Sequence, residues 1–167
     1  MNGSASALEQ RLAAIEARQE ITDLVHRYTE CVRDRCEGEV ADLMAPDAWV
    51  ELHHGDALLP GESAMHERFV GREEILGSFA RVAGQQAVVW PMIHNLRIDL
   101  DGDTAKSRCV MVSSLRPHGY QFIGEYRDTF ARIDGRWLFT SRRFTGVGDL
   151  DGQDSLQVHA QWQTVKV

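Results

Sequence analysis

Apolar side chains recur at helical spacing between positions 8 and 34. Leu8, Leu12, Ile15, Ile21, Leu24, Val25, Tyr28, Cys31 and Val32 fall on one broad stripe, with Glu, Arg and Gln opposite. A shorter helical piece covers Gly38 to Met44, with Val40, Leu43 and Met44 inward, and Pro46 stops it because proline lacks the N–H a helix needs. Asp47 to Leu52 reads as a strand around Trp49. His53 to Val70 holds Gly55, Pro60 and Gly61 without periodicity, which predicts a long loop suited to a lid. Gly71-Arg72-Glu73-Glu74 then opens a third helix with Ile75, Phe79 and Val82 on its inner side.

From Ala87 the period changes to two. Leu96, Ile98 and Leu100 alternate with Asn95, Arg97 and Asp99, and Asp101-Gly102 is a hairpin turn. Strands follow from Thr104 to Arg116, from Tyr120 to Ile133 and from Arg136 to Phe144, divided by turns at Pro117-His118-Gly119 and Asp134-Gly135. Long antiparallel strands after three helices predict an α+β fold: one highly curved, mainly antiparallel sheet with the helices packed on one face. Such a sheet does not close as a full barrel, so helices and a ligand or water must fill its concave side. Gly146, Gly148 and Gly152 bend the chain towards a tail in which Leu156, Val158, Ala160 and Trp162 alternate with polar residues. One domain over 1–167 is expected, with its core at 8–144 and the tail, 145–167, at an oligomer interface.

Charge narrows the partners. The 167 residues carry a net charge of −7 and no run rich in lysine or arginine, which argues against nucleic acid and anionic membranes as partners. The longest apolar stretch, Ala87 to Ile93, is far shorter than the roughly 20 residues of a membrane span. No basic segment followed by an apolar core opens the sequence, so a cytoplasmic location is expected. Cys31, Cys36 and Cys109 form no CxxC pair and read as reduced thiols.

Few titratable residues sit where chemistry could use them. In an unbroken strand His94 shares a face with Met92, Leu96, Ile98 and Leu100, an apolar setting for a general base or acid; a core histidine bonded to its surroundings is the alternative. Tyr28 lies on the apolar helix stripe, as a hydroxyl donor or as a core tyrosine. Glu125 and Tyr126 point to opposite faces of one strand, so only one can see the cavity. His53 and His54 diverge as strand neighbours, and His26 with Glu30 at i,i+4 is too small a set to bind a metal. No HExxH, Walker loop, GxGxxG or GxSxG occurs, so no metal and no cofactor are expected.

Four segments, "EARQEITDLVHRYTECVRDRCEGEVADLMAPDA", "GREEIL", "NLRIDLDGDTAKSRC" and "GEYRDTFARIDGRWLFTSR", together resemble SnoaL-like proteins of the NTF2-like superfamily. The resemblance covers Ile15 to Phe144 and implies a cone-shaped α+β barrel, a metal-free acid–base site within the cone, and a homo-oligomer, trimer or dimer. Tyr28 matches a helix position of the dehydratase relatives, but Arg33 stands where they carry a carboxylate and Pro91 where they carry a histidine. Arg142 matches a pocket arginine, and Asp128, which ends "GEYRD", is expected to pair with an arginine and brace the sheet. Trp90, Met92 and Phe122 are the expected apolar walls. The resemblance implies a cofactor-independent enzyme of the lyase, isomerase or cyclase kind acting on a small hydrophobic cyclic metabolite. There His94 would move the proton, Tyr28 would polarise an oxygen, and Arg33 or Arg142 would hold negative charge. The alternative is a noncatalytic small-molecule-binding domain that lacks the family's Asp–His dyad.

Overall fold

The computed structural model describes residues 2–54, 65–83, 88–116 and 120–146. Helices α1 (Asn2–Asp34) and α2 (Glu37–Leu43) lead into strands β1 (Met44–His54) and β2 (Met65–Val70). Helix α3 (Gly71–Ala83) follows, then strands β3 (Val88–Asp101), β4 (Thr104–Arg116), β5 (Tyr120–Ile133) and β6 (Arg136–Gly146). The six strands form one sheet in the order β2-β1-β6-β5-β4-β3. All neighbours are antiparallel except β1 and β6, which run parallel.

The helix stripe explains how the first layer docks. Ala17, Ile21, Leu24, Val25, Tyr28 and Cys31 are buried along α1 and join the main core with Val40, Leu43 and Ile75 of the other helices. The helix ends when Arg35 turns into the left-handed region at φ 58°. The Cys36 N–H then donates to the Cys31 carbonyl at 3.0 Å, a 6→1 bond that satisfies one orphaned carbonyl of the last turn. Pro46 lies inside β1, where pairing with β6 is interrupted between Met44 and Trp49, so its missing N–H breaks no ladder bond.

Two expectations need correction. The long loop predicted from His53 to Val70 is partly strand: β2 pairs with β1 from Trp49↔Val70 to His54↔Met65. Its sequence, Met-His-Glu-Arg-Phe-Val, hides the period because β2 is an edge strand on which Phe69 is buried between exposed Arg68 and Val70. Residues 55–64 lie outside the described residues, as does the tail beyond Gly146. The predicted strand face of His94 is also wrong. Asn95 adopts φ 55°, and the β3–β4 register shifts between His94 and Arg97, which marks a bulge. Ile93, Leu96, Ile98 and Leu100 therefore pack on the core, while Met92 and His94 are exposed. Asp134 and Gly135, both at positive φ, make the tight β5–β6 hairpin as the sequence implies.

Candidate functional site

The concave face of the sheet carries a charge where apolar residues would be expected. Ser107, Asp128, Arg142 and Val50 stand side by side across β4, β5, β6 and β1. Alternation sets their direction: Ala105, Ser107, Cys109 and Met111 are buried along β4, and Tyr126, Asp128 and Phe130 along β5. Arg142 is 0% exposed and Asp128 2%. Nε and Nη2 of Arg142 donate to Oδ1 and Oδ2 of Asp128 at 2.9 and 2.8 Å, a bidentate pair. Ser107 Oγ adds a third, longer bond to Oδ2 at 3.3 Å.

Aromatic rings enclose this pair. The Arg142 guanidinium carbon lies 4.0 Å from the ring centre of Tyr28, 4.1 Å from Tyr126 and 4.6 Å from Phe139. Tyr28, delivered by α1, also meets Phe79 of α3 edge-on at 6.0 Å. Cation–π attraction is strengthened when water is excluded. One nitrogen is left over: Arg142 Nη1 is buried without a hydrogen-bond partner, as is Ser113 Oγ further along β4. A buried donor with no partner is costly enough to ask what meets it.

Electrostatics decide what these groups can do. Burial works against the charge on Arg142, but the charge and hydrogen bonds of Asp128 outweigh it and hold the guanidinium protonated well above the ordinary arginine range. Burial pushes both Tyr28 and Tyr126 up, opposed in each case by the Arg142 charge. Both phenols thus stay protonated as hydrogen-bond donors. Burial also pushes the Cys109 thiol up to about 11, which leaves it unreactive near neutral pH.

The sequence-predicted residues divide into two groups. Tyr28, Arg142 and Asp128 come together, and Tyr126 rather than Glu125 faces the interior, with Glu125 bonded to Arg127. His94 is exposed beyond the bulge and does not join them. Arg33 pairs with Asp34 at 2.7 Å and sits 5.7 Å from the Trp90 ring centre, at the end of α1. Trp90 and Met92 are 47% and 39% exposed rather than enclosed walls, and the side chain of Phe122 lies outside the described part of the structure. Sequence reading missed Ser107 and Phe139. The alternation of Ser107, Cys109 and Met111 could have flagged the serine, while Phe139 depends on a register shift between Thr129 and Phe130.

The outer face carries a second arrangement that no linear motif shows. Arg97, Arg108, Arg127 and Arg143 are successive partners across β3, β4, β5 and β6, and Glu51 of β1 and Arg68 of β2 complete the row. Glu51 accepts from Arg143 Nε at 3.2 Å and bonds His66 Nε2 at 2.8 Å, and Arg68 covers the Trp49 ring at 4.3 Å. Among the described residues, no cluster of His, Cys, Asp and Glu could hold a metal ion, and no helix is long and apolar enough to cross a membrane.

A helix-backed, curved and open sheet of this order is the NTF2-like, cystatin-like fold. An NTF2-like protein with a cystatin-like fold from Novosphingobium aromaticivorans shares it at a TM-score of 0.67 and 20% identity, over 95% of this chain and 98% of that one. A protein provisionally designated a scytalone dehydratase from N. aromaticivorans DSM 12444 matches at 0.66 and 19% identity, over 80% and 86%. An NTF2-like protein of unknown function from Pseudomonas putida KT2440 matches at 0.67 and 15% identity, over 84% and 93%. Within that fold the chain belongs to the SnoaL-like domain family, whose sequence model matches residues 13–143. No curated protein matches it.

Proposed function

We propose that this SnoaL-like domain binds a small, mostly apolar molecule on its concave face and holds it by an oxygen that accepts from Arg142 Nη1. One observation carries the reading: a guanidinium with 0% exposure, two nitrogens committed to Asp128 and the third without a partner. An apolar enclosure with few convergent polar groups is what small-molecule sites use. Tyr28 supports the same end, because its hydroxyl stays a donor and its ring is held against the guanidinium.

The binding reading is preferred over the acid–base enzyme because this set supplies donors and lacks a free base. Asp128, the carboxylate in the set, is occupied by Arg142 and Ser107. The enzyme remains the second reading on one ground: a buried donor such as Arg142 Nη1 would also stabilise the oxyanion of an elimination, isomerisation or cyclisation. Its working form is proposed to be a homo-oligomer.

Native mass spectrometry of the purified protein tests the binding reading. A small molecule should be retained by the wild type and lost from Tyr28→Phe and Arg142→Met, with Tyr28→Phe keeping the wild-type circular dichroism. Retention of the same molecule by both variants would sink the proposal. Hydrogen–deuterium exchange into the bound molecule, catalysed by wild type and not by Tyr28→Phe, would turn the conclusion towards the enzyme.

A further inference from the structure

Helix α1 runs for many residues before it docks on the rest of the protein. Among the described side chains its first buried residue is Ala17, and its first ion pair to another element joins Glu20 to Arg132 at 3.4 Å. Residues 6–16 are otherwise exposed, with Ala14 half-buried. Yet this stretch carries the largest exposed apolar side chains of the helix: Leu8 at 66%, Leu12 at 54% and Ile15 at 61%. The family model begins at residue 13, so Leu8 and Leu12 precede the residues it matches. A helical stretch of this length is marginal in water by itself, since isolated helices shorter than about 12–15 residues are barely stable.

The spacing says what could cover it. Leu8, Leu12 and Ile15 are four and three residues apart, the d–a–d seam of a heptad. In that register Glu9, Glu16 and Asp23 take the e positions, and Arg11 and Arg18 take the g positions. A parallel second helix of the same sequence places each g residue beside the e residue five positions on in its neighbour. Arg11 then faces the partner's Glu16, and Arg18 faces the partner's Asp23. An antiparallel pair would instead set arginine against arginine and acid against acid. A membrane surface fits poorly, because glutamates rather than lysines and arginines flank one side of the seam.

We infer that residues 8–23 of α1 pair in parallel with the same helix of a second copy of this chain, through the Leu8–Leu12–Ile15 seam. Arg11 and Glu16 are free to do so, as neither has a partner among the described residues, whereas Arg18 donates to the Ala14 carbonyl at 3.2 Å and Asp23 accepts from Gln19 Nε2 at 2.8 Å, both within the helix. The seam ends at Ile15, about 20 Å along α1 from Tyr28 and the Arg142 site.

Hydrogen exchange of the full chain, read by mass spectrometry on residues 6–16, tests this. Protection should be present at high protein concentration and disappear on dilution. In Leu12→Asp it should be absent at every concentration, with the melting of the domain unchanged because Leu12 lies outside the core. Arg11→Glu and Glu16→Arg should each weaken association at least tenfold, since each sets like charges across the seam. An equimolar mixture of the two should recover it, because every pair is then opposite in sign. Exchange of residues 6–16 that ignores concentration, fast or slow, overturns the inference. A mixture that associates no better than either variant alone overturns the parallel register.

Discussion

Arg142 and Asp128 show how one residue type can be read two ways. As a structural brace, the pair joins β5 to β6, yet a buried ion pair is weak evidence for stability because desolvating two charges offsets most of their attraction. Breaking it is another matter. Arg142→Met should cost about 3–5 kcal/mol in urea unfolding, since Asp128 is left charged and buried, whereas Arg142→Met with Asp128→Leu should recover most of that loss. A double variant as unstable as the single would show that packing rather than charge is at stake. Gly124 sets a different limit. A Cβ there would lie 2.0 Å from the Phe144 ring and 2.9 Å from the Thr145 carbonyl oxygen. Gly124→Ala should therefore destabilise by about 1–3 kcal/mol, the usual cost of overpacking. Phe144→Leu should rescue only part of it, because the carbonyl does not move with the ring. The thiols give a simple check: in native protein near pH 7, Ellman's reagent should reach half-buried Cys36 before buried Cys31 and Cys109. Of these residues the sequence offered Tyr28 by its stripe, and Arg142 and Asp128 by resemblance. Nη1 standing unpartnered was not legible, since it depends on three rings meeting from separate elements.

Elements were legible wherever a period ran unbroken. The stripe from Leu8 to Val32 marks α1, and the turns at Asp101-Gly102 and Asp134-Gly135 fix two hairpins. Failures came where the period breaks. Asn95 adds a residue to β3, and from that point a parity count assigns every side chain to the wrong face; His94 was misplaced for this reason. An asparagine tolerates positive φ better than most residues, so the signal was present but weak. The junction of β1, β2 and β6 was invisible, because Glu51, His66 and Arg143 meet only through register. Hydrogen bonding to His66, helped by Arg143, holds the Glu51 carboxyl below the ordinary glutamate range. A carboxyl lowered on folding contributes stability above its unfolded value and loses it as pH falls through the folded one. The stability of Glu51→Gln should therefore fall less steeply than that of the wild type on acidification below about pH 4.3, as followed by melting temperature against pH. Parallel acid limbs for the two proteins would remove Glu51 from the acid response.

At the scale of the molecule, the charge count left one arrangement unseen. A net charge of −7 and the lack of a basic run say nothing about arginines contributed singly by β3, β4, β5, β6 and β2, which the sheet gathers into one row. Like charges directly across strands cost stability, and Arg97 and Arg108 have no acidic partner among the described residues. Replacing Arg108 by Thr should raise the melting temperature, and an unchanged or lower value would mean that the row is compensated. The fold class was legible because helices followed by long hairpins admit few arrangements, whereas the crossing of β1 beside β6 leaves no local trace. The edge of the sheet carries a further consequence. Among the described residues β3, 14 residues long, has no neighbour on its outer side. Pro91 offers no N–H, the Asn95 bulge bends the strand, and Arg97, Asp99 and Asp101 place charges along it. A strand so interrupted is a poor template for another chain, so this edge should resist fibril growth by sheet extension even when the protein is stored at high concentration.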